Sequence, residues 1–345
     1  MARIKDVAKL AGVSTSTVSL VLNNKGYVSA ATRAKVEAAV QELHYVPSEV
    51  GRNLSLNRTN LIGVIIPDVA HPFFAALLHE IEIALYDYGY KTMICSTGEK
   101  KNAELAFLDM LRRHTMDGLI IGAHALHIEN YQHIELPGGK LLHHLLQRVL
   151  IHLPVRHAHA RLPGCGLYAS HRFLDDHHQG GQLAANALLK RHPHHVVQIT
   201  GAPTVHTTAH EHEDIFAQVI KQASVPLDTI VMPANALQPK DFSTAAREVF
   251  ERYPDVDAIS GTDLGAICAL REASRRGRRC PDDLSIVAYD GTYLTRLGPQ
   301  TMTAVVQPIP TLGRRAAEAI VRRIRHEELP SLQPLPMGFQ QGETC

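Results

Sequence analysis

Long apolar segments are absent from this sequence of 345 residues. The run Leu61–Ile66 is short, whereas a membrane-spanning helix needs about 18 or more consecutive apolar residues. The first residues, Met1–Asp6, reach an acidic side chain at once and contain no apolar core of the kind that a secretory signal needs. These absences argue against a membrane protein, and they predict a cytoplasmic location.

Cysteine is scarce and shows no pattern. The five cysteines are odd in number, and none forms a C-x-x-C pair: Cys95, Cys165, Cys268, Cys280 and Cys345. Scattered cysteines in a cytoplasmic chain are typical of reduced thiols, so a disulfide framework is not expected.

The short motifs of nucleophilic and nucleotide-dependent enzymes are also missing. The sequence contains neither a G-x-S-x-G nucleophile elbow nor a G-x-x-x-x-G-K-[ST] phosphate loop. No constellation of side chains with catalytic spacing can be assembled from the rest of the chain. We therefore expect neither catalytic residues nor a cofactor, and a sugar-acting enzyme is a disfavoured class.

Charge is distributed unevenly, although the whole chain carries a net charge of only +1. Residues 1–58 hold eight Lys and Arg against four Asp and Glu, a balance of +4, which leaves −3 for residues 59–345. A small basic head on a slightly acidic body suits a protein that binds a polyanion with one end. An ordinary solvated helical surface can be equally basic.

Three short helices are predicted at the N-terminus. Apolar residues at helical spacing predict helices over Ile4–Leu10, Thr15–Leu22 and Ala30–Leu43. Gly12 permits a tight turn after the first helix, and Ser14 is suited to cap the second. Two short helices joined by a glycine turn, then a third, match a DNA-reading helix-turn-helix. A generic small helical bundle is the alternative.

The head is similar to one family of regulators in its residues as well as its helices. The matching residues are Ile4-Lys5-Asp6-Val7-Ala8-Lys9-Leu10-Ala11-Gly12-Val13-Ser14, Thr17-Val18-Ser19, Leu22-Asn23, Tyr45-Val46-Pro47 and Arg52-x-Leu54. In this order they closely resemble the head of LacI/GalR-family repressors, and the resemblance continues through most of the chain. It implies a homodimer, with a tetramer left open, that binds palindromic double-stranded operator DNA.

The resemblance also implies which side chains of the head meet DNA. Thr15, Ser16 and Leu20 occupy the base-reading positions of the recognition helix, where the family often has Arg in place of Leu20. Leucine can contact a thymine methyl group, or it can pack within the head instead. The full set of expected DNA contacts is Lys5, Thr15, Ser16, Thr17, Ser19, Leu20, Asn23, Tyr27, Arg33, Arg52 and Leu54.

A hinge is expected between head and body. By the same resemblance, residues 47–58 follow the helix-turn-helix domain of residues 1–46, and Pro47–Leu54 folds into a short helix on DNA. Leu54 matches the family's wedge into the minor groove, which unstacks a base step at a cost on the order of a few kcal/mol. Gly51 stands where the family commonly has Ala, which costs about 0.5–1 kcal/mol of helix stability. A flexible linker is the alternative interpretation.

From residue 59 onwards, strands alternate with helices. Short apolar runs such as Leu61–Ile66, Gly118–Gly122 and Val196–Thr200 alternate with amphipathic segments such as Phe73–Tyr88. This order predicts parallel sheets covered by helices on both faces. The expected fold class is an N-terminal all-α helix-turn-helix head plus an α/β body of two doubly wound parallel-sheet lobes, which would resemble periplasmic sugar-binding proteins.

The body, residues 59–345, is expected to serve effector binding and dimerisation through two lobes. We assign about 59–137 and 291–320 to the first lobe, and about 176–290 and 321–345 to the second. Residues 138–175 form an anomalous segment without clear period or turn logic. A divergent insertion and a local frame disturbance in the coding sequence would each produce such a segment.

Polar and aromatic residues gather at the carboxyl ends of the predicted strands. In parallel α/β sheets, ligands bind outside those ends, and a carbohydrate site needs carboxylates together with aromatic rings. Each position alone is more often a loop cap, so their common location is what indicates a small-sugar site. The expected effector contacts at strand ends are Asp68, His71, Phe73, Phe74, His124, Asp176, Asp263 and Asp290, and the family resemblance adds His212 and Gln307.

The family resemblance extends to several of these places. Ile66–Phe74 is similar to the family's first effector loop, Val287–Thr292 to its late aspartate loop, and Thr303–Pro308 to a crossover between lobes. The resemblance implies that Asp290 is the principal effector contact. His212 stands where the family usually has an arginine that grips the effector, and a neutral imidazole cannot make that bidentate contact.

Histidine is abundant in the middle of the chain. Fourteen histidines lie between His143 and His212, and His157-x-His159 or His192-x-His194-His195 could ligate zinc. Because no C-x-x-C or H-E-x-x-H motif accompanies them, we predict no metal site.

These features predict a sequence-specific repressor of a carbohydrate-utilisation operon, controlled allosterically by a small sugar or sugar phosphate. The effector would close the lobes and change how the two hinges meet, and the sign of its effect on DNA binding stays open. Within the family, Tyr289–Thr292 and Ile134–Pro137 are most similar to sucrose-operon repressors. The alternative is a sugar-binding protein without a regulatory role on DNA.

Overall fold

The computed structural model describes residues 2–24, 26–47, 58–98, 103–122, 149–152, 176–202, 208–233, 236–329 and 333–345. These residues belong to two compact units, Met1–Thr59 and Asn60–Cys345. In neither unit is any described helix both long enough and apolar enough to traverse a lipid bilayer.

The first unit is a three-helix head. Its helices are α1 (Ile4–Ala11), α2 (Thr15–Leu22) and α3 (Ala30–Glu42), each within one residue of the predicted bounds. α1 stops at Gly12, whose φ of 64° lies in the left-handed region that favours glycine. The hydroxyl of Ser14 caps α2 by accepting a hydrogen bond from the Thr17 amide at 3.1 Å.

The core of the head is small, and each helix contributes to it. Val7, Val18 and Val36, one from each helix, have no exposed surface. Val21 is also buried, while Leu20 on the same helix remains 39% exposed. One face of α2 therefore holds the head together, and the other is presented to solvent.

The second unit alternates strands and helices as the sequence predicts. Its elements are β1 (Leu61–Ile66), α4 (Pro72–Asp87), β2 (Lys91–Ser96), α5 (Ala103–Arg112), β3 (Gly118–Gly122), β4 (Val149–His152), α6 (His177–Leu189), β5 (Val196–Thr200), α7 (Thr208–Gln222), β6 (Leu227–Val231), α8 (Pro239–Arg252), β7 (Ala258–Thr262), α9 (Asp263–Arg275), β8 (Ser285–Asp290), a 3₁₀ turn (Tyr293–Arg296), β9 (Thr303–Val306), α10 (Ile309–Ile324) and β10 (Gly338–Gln340).

These strands form two sheets, one for each lobe. The first has the order β2-β1-β3-β4, and all its described pairs are parallel. The second has the order β10-β9-β8-β7-β5-β6 and is parallel except for β10, which runs antiparallel to β9. The predicted architecture of two parallel-sheet lobes is confirmed.

Helices cover both faces of each sheet. In the first lobe, Ile62 and Val64 face a core shared with α4 and α10, whereas Ile65 faces a core that includes Leu111 of α5. In the second lobe, Val197 packs on the side of α8 and α9, and its neighbour Val196 packs on the side of α6 and α7. Full burial of such a side chain contributes about 1.5–3 kcal/mol, so alternate residues of one strand stabilise both layers.

The chain returns to the first lobe later than the sequence indicates. β9 pairs with β8 in the second sheet, although residues 291–320 were expected in the first lobe. α10 packs against α4, and its C-terminal residues 321–324 were expected in the second lobe. The first boundary therefore falls after Val306, because Thr303–Val306 is a strand rather than only a crossover. The second falls after Leu335, which still packs in the core of the first lobe.

The anomalous segment contains one described element. Val149–His152 forms β4, parallel to β3, although this stretch shows no strand period in the sequence. The other residues between 138 and 175 lie outside the described part of the chain.

Candidate functional site

The exposed face of α2 carries small hydroxyl side chains and one leucine. Thr15 and Ser16 are exposed, and the hydroxyl of Ser16 lies 2.7 Å from that of Ser14. Leu20 is 39% exposed, and a Cβ added at Gly26 would lie 3.5 Å from its Cδ2. Leu20 therefore rests on the turn after α2 while still reaching solvent, so both interpretations of this residue fit its position.

The C-terminal end of α2 is fixed by side chains that the sequence predicts as DNA contacts. The Asn23 amide donates to the Ser19 carbonyl oxygen at 2.9 Å. The guanidinium of Arg33 donates to the Asn24 side chain at 2.8 Å and to the Val21 carbonyl oxygen at 3.4 Å. These contacts hold the helix end in place. That Ser19, Asn23 and Arg33 also contact DNA stays a prediction.

The remaining expected DNA contacts divide into exposed and undescribed residues. Lys5 is exposed on α1, and Tyr27 is 96% exposed after α2. Thr17, by contrast, is half-buried, and its hydroxyl lies 2.9 Å from that of Ser14. Arg52 and Leu54 lie outside the described residues, as does most of the expected hinge.

In the body, Asp290 lies at the carboxyl end of β8 in an unusual backbone conformation. Its φ is 120°, and non-glycine residues seldom adopt such positive values. Its carboxylate accepts a hydrogen bond from the Gln307 amide at 2.7 Å, and its carbonyl oxygen accepts one from the Gln307 backbone at 2.9 Å. Both side chains are buried. Gln307, which follows β9, thus orients Asp290, and the contact of either residue with an effector stays a prediction.

Asp263 holds the loop that follows Asp290. Its carboxylate accepts hydrogen bonds from the Gly291 amide at 3.1 Å and from the Thr292 amide and hydroxyl at 2.7 and 2.6 Å. Burial raises the pKa of Asp263 to about 6, although these hydrogen bonds act in the opposite direction. Asp263 therefore positions the loop, and direct contact with an effector stays a prediction.

In the first lobe, Asp68 and His71 lie in the loop after β1. Asp68 accepts hydrogen bonds from the Ala70 amide at 2.8 Å and from the Gln238 side chain at 2.9 Å. Burial lowers the pKa of His71 to about 4 against the opposing effect of the Asp68 charge, so the imidazole is neutral near pH 7. Its Nδ1 atom has no hydrogen-bond partner among the described residues.

The two phenylalanines of this loop have different surroundings. Phe74 is buried in the core of the first lobe, and its ring centroid lies 5.3 Å from that of His71. Phe73 is only partly buried, and its ring meets Phe74 edge-on at 5.3 Å. Phe73 is therefore the better placed of the two to meet a ligand, while Phe74 supports the loop.

His212 is part of a ring stack in the second lobe. Its imidazole lies 3.6 Å from the ring of Tyr289, nearly parallel at 11°. The Tyr289 hydroxyl lies 3.0 Å from Nδ1 of His177 in a buried hydrogen bond. Asp176 caps the adjoining helix α6 by accepting from the Gln179 amide at 2.8 Å. Asp176 and His212 thus have structural roles here, and their contact with an effector stays a prediction. His124 lies outside the described residues.

Sequence reasoning missed two side chains near these strand ends. Glu213 is mostly buried, and its carboxyl accepts from the Gly201 amide at 3.3 Å and lies 3.5 Å from Nδ1 of His210. Burial raises the pKa of Glu213 to about 8. Gln238, which contacts Asp68, precedes Pro239 at the start of α8. A polar residue before proline is a helix-start signal, but it does not reveal a partner 170 residues away.

The histidine-rich stretch 192–195 contacts the carboxylates of neighbouring aspartates. His195 lies between Asp228 at 2.9 Å and Asp255 at 3.3 Å. Within the described ranges, no three His, Cys, Asp or Glu residues are grouped so that they could hold a metal ion.

A helix-turn-helix head and a two-lobed α/β body in one chain define a ligand-responsive DNA-binding regulator. Residues 3–48 match the model of bacterial regulatory proteins of the lacI family. A ribose operon repressor of Bacillus subtilis (strain 168) is 32% identical over 330 residues, which cover 95% of this chain and 94% of the relative. The chain belongs to the LacI family of bacterial regulatory proteins.

Other comparisons cover the body as well. Residues 59–143 match the model of periplasmic binding proteins and the sugar binding domain of the LacI family, and residues 185–345 match a periplasmic binding protein-like domain. A sucrose operon repressor of Pediococcus pentosaceus is 30% identical over 345 residues, 99% of each chain. The prediction of a DNA-binding repressor of this family is confirmed.

Solved structures show the same architecture. A transcriptional regulator CelR–cellobiose complex superposes with a TM-score of 0.67 at 25% identity and covers 100% of both chains. The Lac repressor dimer bound to operator and the anti-inducer ONPF superposes with a TM-score of 0.80 at 21% identity, covering 99% of this chain and 98% of that one. The second likeness concerns the fold alone.

Proposed function

We propose that this protein represses a carbohydrate-utilisation operon and that a small sugar, bound between the lobes of its body, controls its grip on operator DNA. The observation that carries the proposal is the pairing of Asp290 with Gln307 at the carboxyl ends of β8 and β9, where ligands of parallel α/β sheets bind. Asp68 of the first lobe contacts Gln238 of the second, so strand-end loops of both lobes meet at this edge.

The chemistry of these side chains suits a hydroxyl-rich ligand. A carboxylate whose orientation is fixed, as that of Asp290 is by Gln307, can accept hydrogen bonds from sugar hydroxyls without a further entropic cost of ordering. No described residue forms a hydrogen bond with Nδ1 of the neutral His71 imidazole. Partly buried Phe73 offers a ring to an apolar sugar face. The match to a sucrose operon repressor supports sucrose or one of its hexoses as the first effector to test.

The chemistry of α2 suits base reading in the major groove. Thr15 and Ser16 present hydroxyls that can donate to or accept from base edges, and Leu20 presents methyl groups to a thymine methyl. In a homodimer, two such helices would read the two halves of a palindrome. The relatives named as operon repressors support this arrangement.

Control would be allosteric. The sugar favours one relative position of the lobes, and this change biases the dimer between states that bind operator strongly and weakly. The sign of that bias is decided by experiment.

Fluorescence anisotropy on a palindromic operator from the gene's own upstream DNA tests the DNA half of the proposal. Leu20→Ala should weaken binding by about 1 kcal/mol per protomer, because apolar contact with the base is lost. Leu10→Ala is the matched control, since Leu10 is 46% exposed but lies on α1. Absence of specific binding to any palindrome would overturn the proposal.

A panel of sucrose, fructose, glucose, ribose and cellobiose added to the same assay tests the sensing half. We expect at least one sugar to change operator affinity. If every sugar leaves it unchanged at millimolar concentration, the carbohydrate effector is wrong, while the operator result still stands.

A further inference from the structure

The two lobes of the body are connected by a side-chain hydrogen bond at their rim. Nε2 of Gln238 donates to Oδ2 of Asp68 at 2.9 Å. Asp68 lies two residues after the end of β1 of the first lobe, and Gln238 is the residue directly before α8 of the second. The hydrogen bond therefore connects two residues that lie next to packed elements of the two lobes.

Each partner is oriented by its own loop before the two meet. The other carboxylate oxygen of Asp68 accepts from the Ala70 amide at 2.8 Å. The backbone amide of Gln238 donates to the Asp241 carboxylate at 3.2 Å, and the Asp241 amide donates to the Gln238 carbonyl oxygen at 2.9 Å. Local bonds of this kind reduce the conformational entropy that the contact between the lobes would otherwise cost.

We infer that Asp68 and Gln238 form an interlobe latch, which stabilises the position of the lobes in which their rims touch and so adjusts how readily the body closes on its ligand. The link to ligand binding rests on the proposed function, whereas the latch itself does not. The bond is exposed to solvent, so its expected effect on the lobe equilibrium is that of one ordinary hydrogen bond, about two- to tenfold.

The polarity of the bond supplies a sharp test. Gln238→Glu removes the donor and sets a carboxylate against that of Asp68, with almost no change in volume. The start of α8 tolerates this change, since a negative charge is favourable at a helix N-terminus. Adding Asp68→Asn restores a donor from the opposite side, because the new amide can donate to the glutamate while its oxygen still accepts from the Ala70 amide.

The distance between the lobes is the direct measurement. Spin labels introduced through unnatural amino acids at two exposed positions, Glu82 on α4 and Glu251 on α8, report it by double electron–electron resonance. The full-length chain is used without added sugar, diluted with excess unlabelled chain so that only distances within one chain contribute. We expect Gln238→Glu to lengthen or broaden this distance and the Asp68→Asn/Gln238→Glu double variant to restore it.

Asp68→Asn alone is the matched control, because a rotated Gln238 amide can still pair with it. An unchanged distance in Gln238→Glu overturns the latch, as does a double variant that stays as open as the single one. Circular dichroism confirms that each variant is folded.

Sucrose titration by calorimetry tests the consequence for binding. We expect about a two- to tenfold weaker affinity in Gln238→Glu, because affinity scales with the population of the competent state. The double variant serves the distance measurement alone, because Asp68 is itself an expected effector contact. Altered distance with unaltered sucrose affinity overturns the effect on binding. If sucrose does not bind the unmodified chain, the proposed effector fails, and the distance measurement still decides the latch.

Discussion

At the scale of single residues, burial sets the protonation of several groups near the strand ends. It lowers the pKa of His71 to about 4 and raises those of Asp263 and Glu213 to about 6 and 8. Glu213 lies 3.5 Å from Nδ1 of His210, whose Nε2 donates to the Ala202 carbonyl oxygen at 3.0 Å. Burial therefore favours the protonated, uncharged form of the Glu213 carboxyl.

This environment predicts a pH dependence of stability that belongs to Glu213. A carboxyl with a raised folded pKa stabilises fully below its unfolded pKa of about 4.5 and loses that contribution as the pH rises through about 8. The contribution of Asp263 to the free energy of unfolding is already lost above about pH 6. The contribution of His71 changes with pH only below about pH 6.5. Between pH 6.5 and 8, stability should therefore fall with a slope of up to about 1.4 kcal/mol per pH unit.

Glu213→Gln should flatten that slope, because the amide still accepts from the Gly201 amide and cannot ionise. Urea unfolding at pH 6.5, 7.25 and 8 checks this, followed by circular dichroism because the chain has no tryptophan. Parallel slopes for the two proteins would contradict the assignment.

At the scale of elements, the ends of helices and strands could be predicted where the sequence carries a local signal for them. α2, β1, β3 and β5 have the predicted bounds because caps or continuous apolar runs mark their ends. The apolar period predicts a helix only over Ile215–Gln222, because His210–Asp214 carries no such period, whereas α7 begins seven residues earlier at Thr208. The sequence likewise predicts a helix only from Gln182 to Lys190, because Gly180 and Gly181 are poor helix formers, whereas α6 begins at His177.

Those two glycines have a packing reason that no single sequence reveals. A Cβ at Gly180 would lie 2.3 Å from the Tyr289 hydroxyl, and one at Gly181 would lie 2.5 Å from the His212 carbonyl oxygen. They let α6 approach α7 and β8 closely, which brings together the ring stack of His177, Tyr289 and His212. Positions such as these emerge only from tertiary packing.

Gly181→Ala should destabilise the second lobe by about 1–3 kcal/mol, because the new methyl group meets backbone that cannot move aside. Gly265→Ala is the matched control, because Gly265 also lies within a helix, α9, and a Cβ added to it would lie 3.7 Å or more from the nearest atoms. That change should be neutral or stabilising by up to about 1 kcal/mol. Thermal unfolding compares the two, and equal effects would show that the close approach at Gly181 is unimportant.

At the scale of the whole molecule, the sequence predicted the class of architecture better than the path of the chain. The head and the two lobes follow from periodicity and order. Asp290 and Gln307, two of the residues expected to meet an effector, are hydrogen-bonded to each other, and their contact with an effector stays a prediction. The lobe boundary was misplaced, because a four-residue strand such as β9 looks like a connection. Contacts between the lobes, such as Asp68 with Gln238, depend on how the two sheets are arranged and leave no local signal.

Because the head and the body are separate compact units, we expect that a substitution can weaken the response to a sugar without changing the affinity for operator DNA. Asp290→Asn keeps an oxygen for the Gln307 amide but loses the negative charge, so it should weaken the response to an active sugar about tenfold or more while leaving operator affinity unchanged. Asp87→Asn, at an exposed site on α4, is the control. Anisotropy titrations with and without sugar measure both properties, and equal loss of both would indicate misfolding instead.

The late position of α10 also governs how the protein is made. The core of the first lobe includes Ile309, Leu312 and Ile320 of that helix, so this lobe cannot close its interior when β3 leaves the ribosome. Roughly 200 residues separate β3 from the end of α10, and at about 5–20 residues per second their synthesis lasts about 10–40 s. During that interval we expect the nascent chain to expose Ile62, Val64 and the apolar side of α4, so chaperones that shield unfinished domains should bind it.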